Sequence, residues 1–257
     1  MIPVLFHWGP LSVYSYGLLL AVAFLVSGSL AARAARLKPG VISPDSVMDL
    51  VTWAVLGGVV GARLFFVVLN REALQGGLLE IFAIWHGGLV WYGGFAGGFL
   101  AAWLYTRVHR LSFIGVLDHL APYLALGHGI GRIGCFLNGC CYGRVTESGC
   151  GVVFPGHTEA VLPTQLFEAA GLFIIAISLI LLERRGIGKR PGQAAGAYLV
   201  LYGVLRFIIE FYRGDQAVFW LGLTLQQLIS AGLFALGLIF LFALRDGKNL
   251  PIHRRSG

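Results

Sequence analysis

The chain has 257 residues, 57% of them hydrophobic and only 12% charged, with a mean hydropathy of +0.80. A soluble domain carries about 25% charged residues, so this composition excludes a soluble enzyme and puts most of the chain in lipid. The formal charge of +7 does not mark a nucleic-acid surface, because Lys and Arg recur in short clusters between apolar runs, which is the pattern of membrane topology.

A helix that crosses a bilayer needs about 20 mostly apolar residues. Seven runs qualify: 14–32, 47–69, 89–106, 114–136, 166–182, 194–211 and 221–244. They predict an all-α polytopic membrane protein with seven transmembrane helices in a single membrane domain, 1–257. The opening MIPVLFHW has no basic stretch ahead of an apolar core and predicts no cleaved signal peptide. Residues 78–84 are apolar but too short to cross, and read as a short interfacial helix. No internal repeat is evident, which weighs against a transporter built from inverted repeats.

Positive charge sets the orientation. Arg33, Arg36 and Lys38 follow the first span, Arg107 and Arg110 the third, and Arg184, Arg185, Lys189 and Arg190 the fifth; the tail adds Arg245, Lys248, Arg254 and Arg255. The other connections, 70–88, 137–165 and 212–220, hold only Arg71, Arg144 and Arg213. The N-terminus is therefore expected outside and the C-terminus in the cytoplasm. On that orientation Tyr16, Arg63, Tyr92, Arg132, Gln165, Glu168, Arg206, Glu210, Thr224 and Gln227 all fall near the outer face. Asp118 and His119 fall at the inner end of the fourth span. A transporter needs polar stations toward both faces, so this one-sided level favours a site over a path.

The densest chemistry is in 127–144, GHGIGRIGCFLNGCCYGR. An arginine at bilayer depth costs about 3 kcal/mol on insertion scales and is a functional candidate by default. His128 and Arg132 are four apart and share a helix face. Arg206 has Glu210 one turn away, whereas Arg132 and Arg63 have no local acid. The partner of Arg132 must then come from another helix or from a ligand, and the abundant anion at that depth is a phospholipid phosphate, which suits the paired donors of arginine. Arg63, beside Gly61, could instead brace a carbonyl of a neighbouring helix. No GxSxG, HExxH or Walker A motif is present, so the substrates must bring the reacting groups. His128 is a base candidate, and Tyr16 and Tyr92 could orient a developing anion. Cys135, Cys140, Cys141 and Cys150 have no paired CxxC spacing. They read first as small buried thiols, with a disulfide at Cys150 ahead of a zinc site.

These residues, taken in order, resemble the prolipoprotein diacylglyceryl transferase family over nearly the whole chain. The resemblance rests on Tyr16-Gly17, Gly61-Ala62-Arg63, Gly87-Gly88-Leu89, Gly93-Gly94, Asp118 with Pro122, and Gly131-Arg132-Ile133-Gly134 with Phe136 and Asn138, closing at Gly143-Arg144. It continues through Pro163 to Glu168, through Arg206, Phe207, Glu210, Phe211 and Arg213, and ends at Thr224 and Gln227. Three positions depart from the family pattern: Cys135 replaces its asparagine, Cys140 its acid, and Tyr92 its proposed catalytic histidine. The base is left open by these departures.

The resemblance implies a bacterial inner-membrane (cytoplasmic-membrane) enzyme with its site toward the outer leaflet. It would move the diacylglyceryl group of phosphatidylglycerol to the lipobox cysteine of a prolipoprotein signal peptide, giving a thioether and glycerol phosphate. On this reading Arg206, Tyr92, Tyr16, His128 and Glu210 are catalytic, and Arg132, Arg63, Asn138 and Gly143 bind phosphatidylglycerol. No metal or cofactor and no nucleic acid is called for; the partners are phosphatidylglycerol, prolipoproteins and membrane lipids. The alternatives are a paralogue with another acceptor, a lipid or anion transporter, and a non-catalytic membrane protein.

Overall fold

A computed structural model of the chain describes residues 4–8, 11–37, 40–70, 87–156, 158–186, 190–214 and 216–243. It is a helical bundle with two short hairpins, a polytopic membrane protein. A hairpin of β1 (Val4–Trp8) and β2 (Leu11–Tyr14) leads into α1 (Ser15–Leu37) and α2 (Pro44–Leu69). Then come α3 (Trp91–Val108), α4 (Phe113–Asn138), α5 (Thr164–Arg184) and α6 (Gln193–Glu210). A second hairpin, β3 (Val218–Trp220) with β4 (Leu223–Thr224), precedes α7 (Leu225–Ala243). Every expected span contains one helix, with ends shifted by a few residues. The seventh run begins as a turn and strand rather than as helix at Leu221, where the backbone has φ 49°. The segment expected to be interfacial, 78–84, lies outside the described residues.

Five helices, α1, α2, α5, α6 and α7, are long and apolar enough to cross a membrane. The other two carry their own dilution: α3 holds four glycines and Arg107, while α4 holds Asp118, His119, His128 and Arg132. Large apolar side chains such as Leu25, Trp53, Val60, Phe95, Ile174, Ile208 and Phe242 point outward. In water this would be a liability; in lipid it is the expected surface.

Two kinds of contact hold the bundle. Along α2 and α3 the contact is backbone on backbone. A Cβ at Gly61 would run into the Gly93 carbonyl, and one at Gly97 into the Gly57 carbonyl. Only glycine permits that approach, the small-residue packing of membrane helices. Around α4 the contact is made by side chains: Ala121, Ala125, Ile175, Ala176 and Leu179 form one buried cluster, and Ala31, Ala35, Val47, Leu50 and Val116 another. At one end of α4, Asp118 accepts hydrogen bonds from the backbone N–H of Gly192 (2.6 Å) and Ala195 (2.9 Å). It is therefore an N-cap of α6 supplied by a different helix, and its charge meets the positive end of the helix dipole.

Candidate active site

The opposite end of α4 carries the 127–144 stretch. The helix stops at Gly139, whose φ of 75° is the left-handed conformation that glycine adopts without strain. Its N–H bonds back to the Phe136 carbonyl (3.2 Å), and that of Cys140 to the Cys135 carbonyl (3.1 Å). The chain then folds under the helix end, and α5 holds it there. Gln165 donates to the Cys140 carbonyl (2.6 Å) and Thr164 to the Cys141 carbonyl (3.0 Å), both side chains being almost fully buried. At Gly143 a Cβ would strike the Tyr212 carbonyl, Leu162 and Thr164. Its N–H bonds to the Leu162 carbonyl (2.8 Å), and Arg144 donates to the Phe211 carbonyl (2.6 Å). These bonds bring the ends of α4, α5 and α6 to one level.

At that level lies a chain of charges drawn from three helices. Arg132 on α4 pairs with Glu168 on α5 (2.9 Å), Glu168 reaches Arg206 on α6 (3.5 Å), and Arg206 pairs with Glu210 one turn on (2.8 Å). Glu210 also accepts a hydrogen bond from the Thr224 hydroxyl (2.8 Å). Thr224 and Gln227 form a capping box at the start of α7: the Gln227 side chain accepts from the Thr224 N–H (3.0 Å), and the Thr224 hydroxyl from the Gln227 N–H (3.2 Å). The same hydroxyl thus starts α7 and fixes Glu210.

Two cations and two anions cancel overall, but they are not equally open. Glu168, Arg206 and Glu210 are buried to 6% exposure or less, whereas the Arg132 side chain keeps 15%. The Nε of Arg132 is buried with no hydrogen-bond acceptor, and Oε1 of Gln165 is buried with no donor. Groups left unsatisfied at such depth are costly and mark where a ligand would complete the site. Arg132 is the more exposed of the two guanidinia; Arg206 is locked between two carboxylates behind it.

Tyr16, half-buried on α1, lies close enough to Arg132, Cys135, Cys140 and Cys141 to share their field. Its backbone packs against Gly134. His128 sets its ring edge-on to Tyr202 of α6 at 4.9 Å, and the Tyr202 hydroxyl lies beside Arg132. Asn138 ends α4 with its side chain against the Cys140 thiol. Arg63 has a different occupation. It donates to the Gly87 carbonyl (2.6 Å) and the Gly88 carbonyl (3.3 Å) and covers the Phe66 ring, so it braces backbone, although the carbonyls precede α3 rather than belonging to a neighbouring helix. Tyr92 is exposed on the first turn of α3, edge-on to Trp91.

Glu168, Gln165, Thr224 and Tyr202 were not among the residues assigned roles from the sequence. Glu168 and Gln165 lay in a quoted motif, and the missing local acid of Arg132 called for a partner such as Glu168. All four cysteines are free thiols. Cys150 is a free thiol with its sulfur 3.2 Å from the Ser148 hydroxyl, so the disulfide weighed there does not form; it is exposed, unlike the buried thiol expected first. The neighbouring Cys135 and Cys140 thiols, followed by Arg213 and Arg132, hold the Cys141 thiol well below the ordinary thiol range.

The family model for prolipoprotein diacylglyceryl transferase matches residues 3–243. A relative from Dechloromonas aromatica, named phosphatidylglycerol–prolipoprotein diacylglyceryl transferase, is 37% identical over 88% of each chain. Relatives of the same name from Xanthomonas euvesicatoria and Ruegeria pomeroyi are 34% and 35% identical, over 93% and 84% of this chain and 90% and 83% of their own. With the Arg132–Glu168–Arg206–Glu210 chain built from the positions that carried the resemblance, the protein belongs to the prolipoprotein diacylglyceryl transferase family.

Proposed function

We propose that the protein transfers the diacylglyceryl group of phosphatidylglycerol to a cysteine thiol of a prolipoprotein. The observation that carries this reading is the buried Arg132 Nε, without a hydrogen-bond acceptor among the described residues, at the partly exposed end of an internally neutral charge chain. An anion that docks there meets one guanidinium with a free donor and a second, Arg206, behind it. In the reaction the acceptor thiolate attacks the glyceryl carbon that bears the phosphate. A carbon–sulfur bond forms, the carbon–oxygen bond breaks, and glycerol phosphate leaves with the electron pair. Arg132 grips the phosphate, and Arg206 answers the charge that grows on the leaving oxygen, a preorganised electrostatic role. Glu168 and Glu210 hold the two guanidinia in place. The thiol proton leaves to a base drawn from Tyr16, Tyr92 and His128, since a free thiol with pKa of about 8.5 is largely protonated at neutral pH. Asn138 and Gly143 shape the floor under the headgroup, and Arg63 keeps the 87–88 turn in register from outside it.

The seven helices all cross the bacterial cytoplasmic membrane, N-terminus outward, and the site opens to the outer leaflet. The acceptor is the lipobox cysteine of the signal peptide. A transporter would need a second charged station, and Asp118, at the other end of α4, is occupied in capping α6.

The direct test uses protein in detergent with labelled phosphatidylglycerol and a lipobox peptide. The expected product is the peptide heavier by one diacylglyceryl unit, lost when the peptide cysteine is serine. Lipid binding without any adduct would overturn the reading and point to a different acceptor.

A further inference from the structure

The fold gathers three of the four cysteines into a cluster that their spacing along the chain conceals. The Sγ atoms of Cys135, Cys140 and Cys141 all lie within 4.8 Å of one another. Cys135 is on the last turns of α4, and the left-handed backbone at Gly139 (φ 75°) and Cys141 (φ 64°) turns the two later residues back beneath it. The turn is held by the Gln165 and Thr164 hydrogen bonds to the Cys140 and Cys141 carbonyls, so the cluster is built by α5 as well as α4. Cys135 is buried; Cys140 and Cys141 are half-buried, leaving one side reachable.

We propose that Cys135, Cys140 and Cys141 form a three-thiolate site for a thiophilic d10 cation, Zn2+ or Cu(I). Zinc–sulfur bonds of about 2.3 Å place tetrahedral ligand sulfurs roughly 3.8 Å apart, a separation these sulfurs reach by small side-chain rotations. Soft thiolates select such ions over Mg2+ or Ca2+. A disulfide is the competing use of the thiols. It needs two sulfurs about 2.05 Å apart and strands the third, whereas a metal engages all three. Three thiolates around Zn2+ leave a net charge of −1, and Arg132 and Arg213 set positive charge near the Cys141 sulfur, Arg132 also near that of Cys135. The fourth position of a zinc site faces the half-exposed side, where a water or an incoming thiol completes the tetrahedron. Cys135 is three residues beyond Arg132 on the same helix, so the ion ties the end of α4 to the loop beneath it and stiffens the floor beside the candidate anion site. The site stands on the three sulfurs and does not depend on the transferase reading.

The test is metal content, independent of activity. The full chain is purified in detergent under reducing conditions with a tag that contains no histidine. It is then loaded with Zn2+ or Cu(I), dialysed against a weak chelator and measured by mass spectrometry for bound metal. About one ion per chain is expected, with a fall of about tenfold or more in Cys140→Ser and in Cys141→Ser and no change in Cys150→Ser. With Co2+ in place of Zn2+, a thiolate-to-metal charge-transfer band is expected in the wild type and is lost in the same two variants. Both variants lie beyond α4, so the outcome does not hang on the buried Cys135. No retained metal, or equal metal in wild type and both variants, would overturn the site. So would an intact mass two hydrogens low, with a disulfide within the cluster, in protein isolated without reductant that does not take up metal after reduction.

Discussion

The two halves of the bundle solve the same problem, a buried arginine in lipid, in opposite ways. On α2, Arg63 is tied to backbone among the described residues: it donates to the Gly87 and Gly88 carbonyls, next to a helix pair so close that glycine backbones touch. On α4, Arg132 is neutralised by side chain: Glu168 comes from α5, passes on to Arg206, and leaves the Arg132 Nε with nothing to do. The first arrangement ties the guanidinium to the 87–88 backbone. The second is balanced in charge yet incomplete in hydrogen bonds, and incompleteness in a buried polar network is where a ligand belongs. The lesson is that burial and lack of a local acid do not separate a binding arginine from a bracing one; the fate of each donor does.

Removing the shared carboxylate should break this contrast most severely. Glu168→Gln leaves Arg132 and Arg206 with Glu210 as the remaining acid of the chain, and loss of one member of a buried pair costs about 3–5 kcal/mol. Thermal unfolding in detergent should show a large fall in Tm, and diacylglyceryl transfer should drop by about a hundredfold or more in whatever remains folded. Near-normal activity would mean the charge chain is scaffolding. Arg132→Lys comes next. It keeps the charge but loses the fork that grips a phosphate, so kcat/KM should fall about 10–100-fold with the Tm almost unmoved. A Tm loss as large as that of Glu168→Gln would assign Arg132 to structure.

Much of this was legible in the sequence, and the parts that were not share a cause. Helix positions follow from apolar run length, which is a local property, and all seven expected runs contain a helix. The gathering of Arg132, Arg206 and Glu210 at one level also follows, because a charge within an apolar run stands out wherever the chain goes. What a one-dimensional reading misses is which residues meet across helices. Glu168 was seen as polar but not as the bridge, and the Arg63 contact to the Gly87 carbonyl, 24 residues away, was not foreseen. The cysteines lacked paired spacing, yet a left-handed turn at Gly139 brings three sulfurs together. Asp118 read only as a polar residue at the inner end of the fourth span, because its partners, Gly192 and Ala195, lie more than 70 positions on. Hairpins β1–β2 and β3–β4 were hidden inside apolar stretches, where strand and helix share a composition.

The structural half supplies the smaller effects. Gly61→Ala places a methyl against the Gly93 carbonyl, and such overpacking costs about 1–3 kcal/mol. It should lower the Tm clearly while the surviving enzyme keeps the KM of the wild type. A raised KM would show that the α2–α3 contact extends into the site. Smallest is Asp118→Asn. Asparagine keeps one acceptor oxygen in place of two, so one of the Gly192 and Ala195 N–H bonds is lost together with the charge facing the α6 dipole, about 1 kcal/mol in all. A Tm shift of a few degrees with unchanged transfer rate is the expected result, read by thermal unfolding beside the activity assay. A loss of transfer at Asp118, at the far end of α4 from Arg132, would instead mean that a second polar station takes part. The one-ended picture of the molecule would then give way to a path that runs the length of the helix.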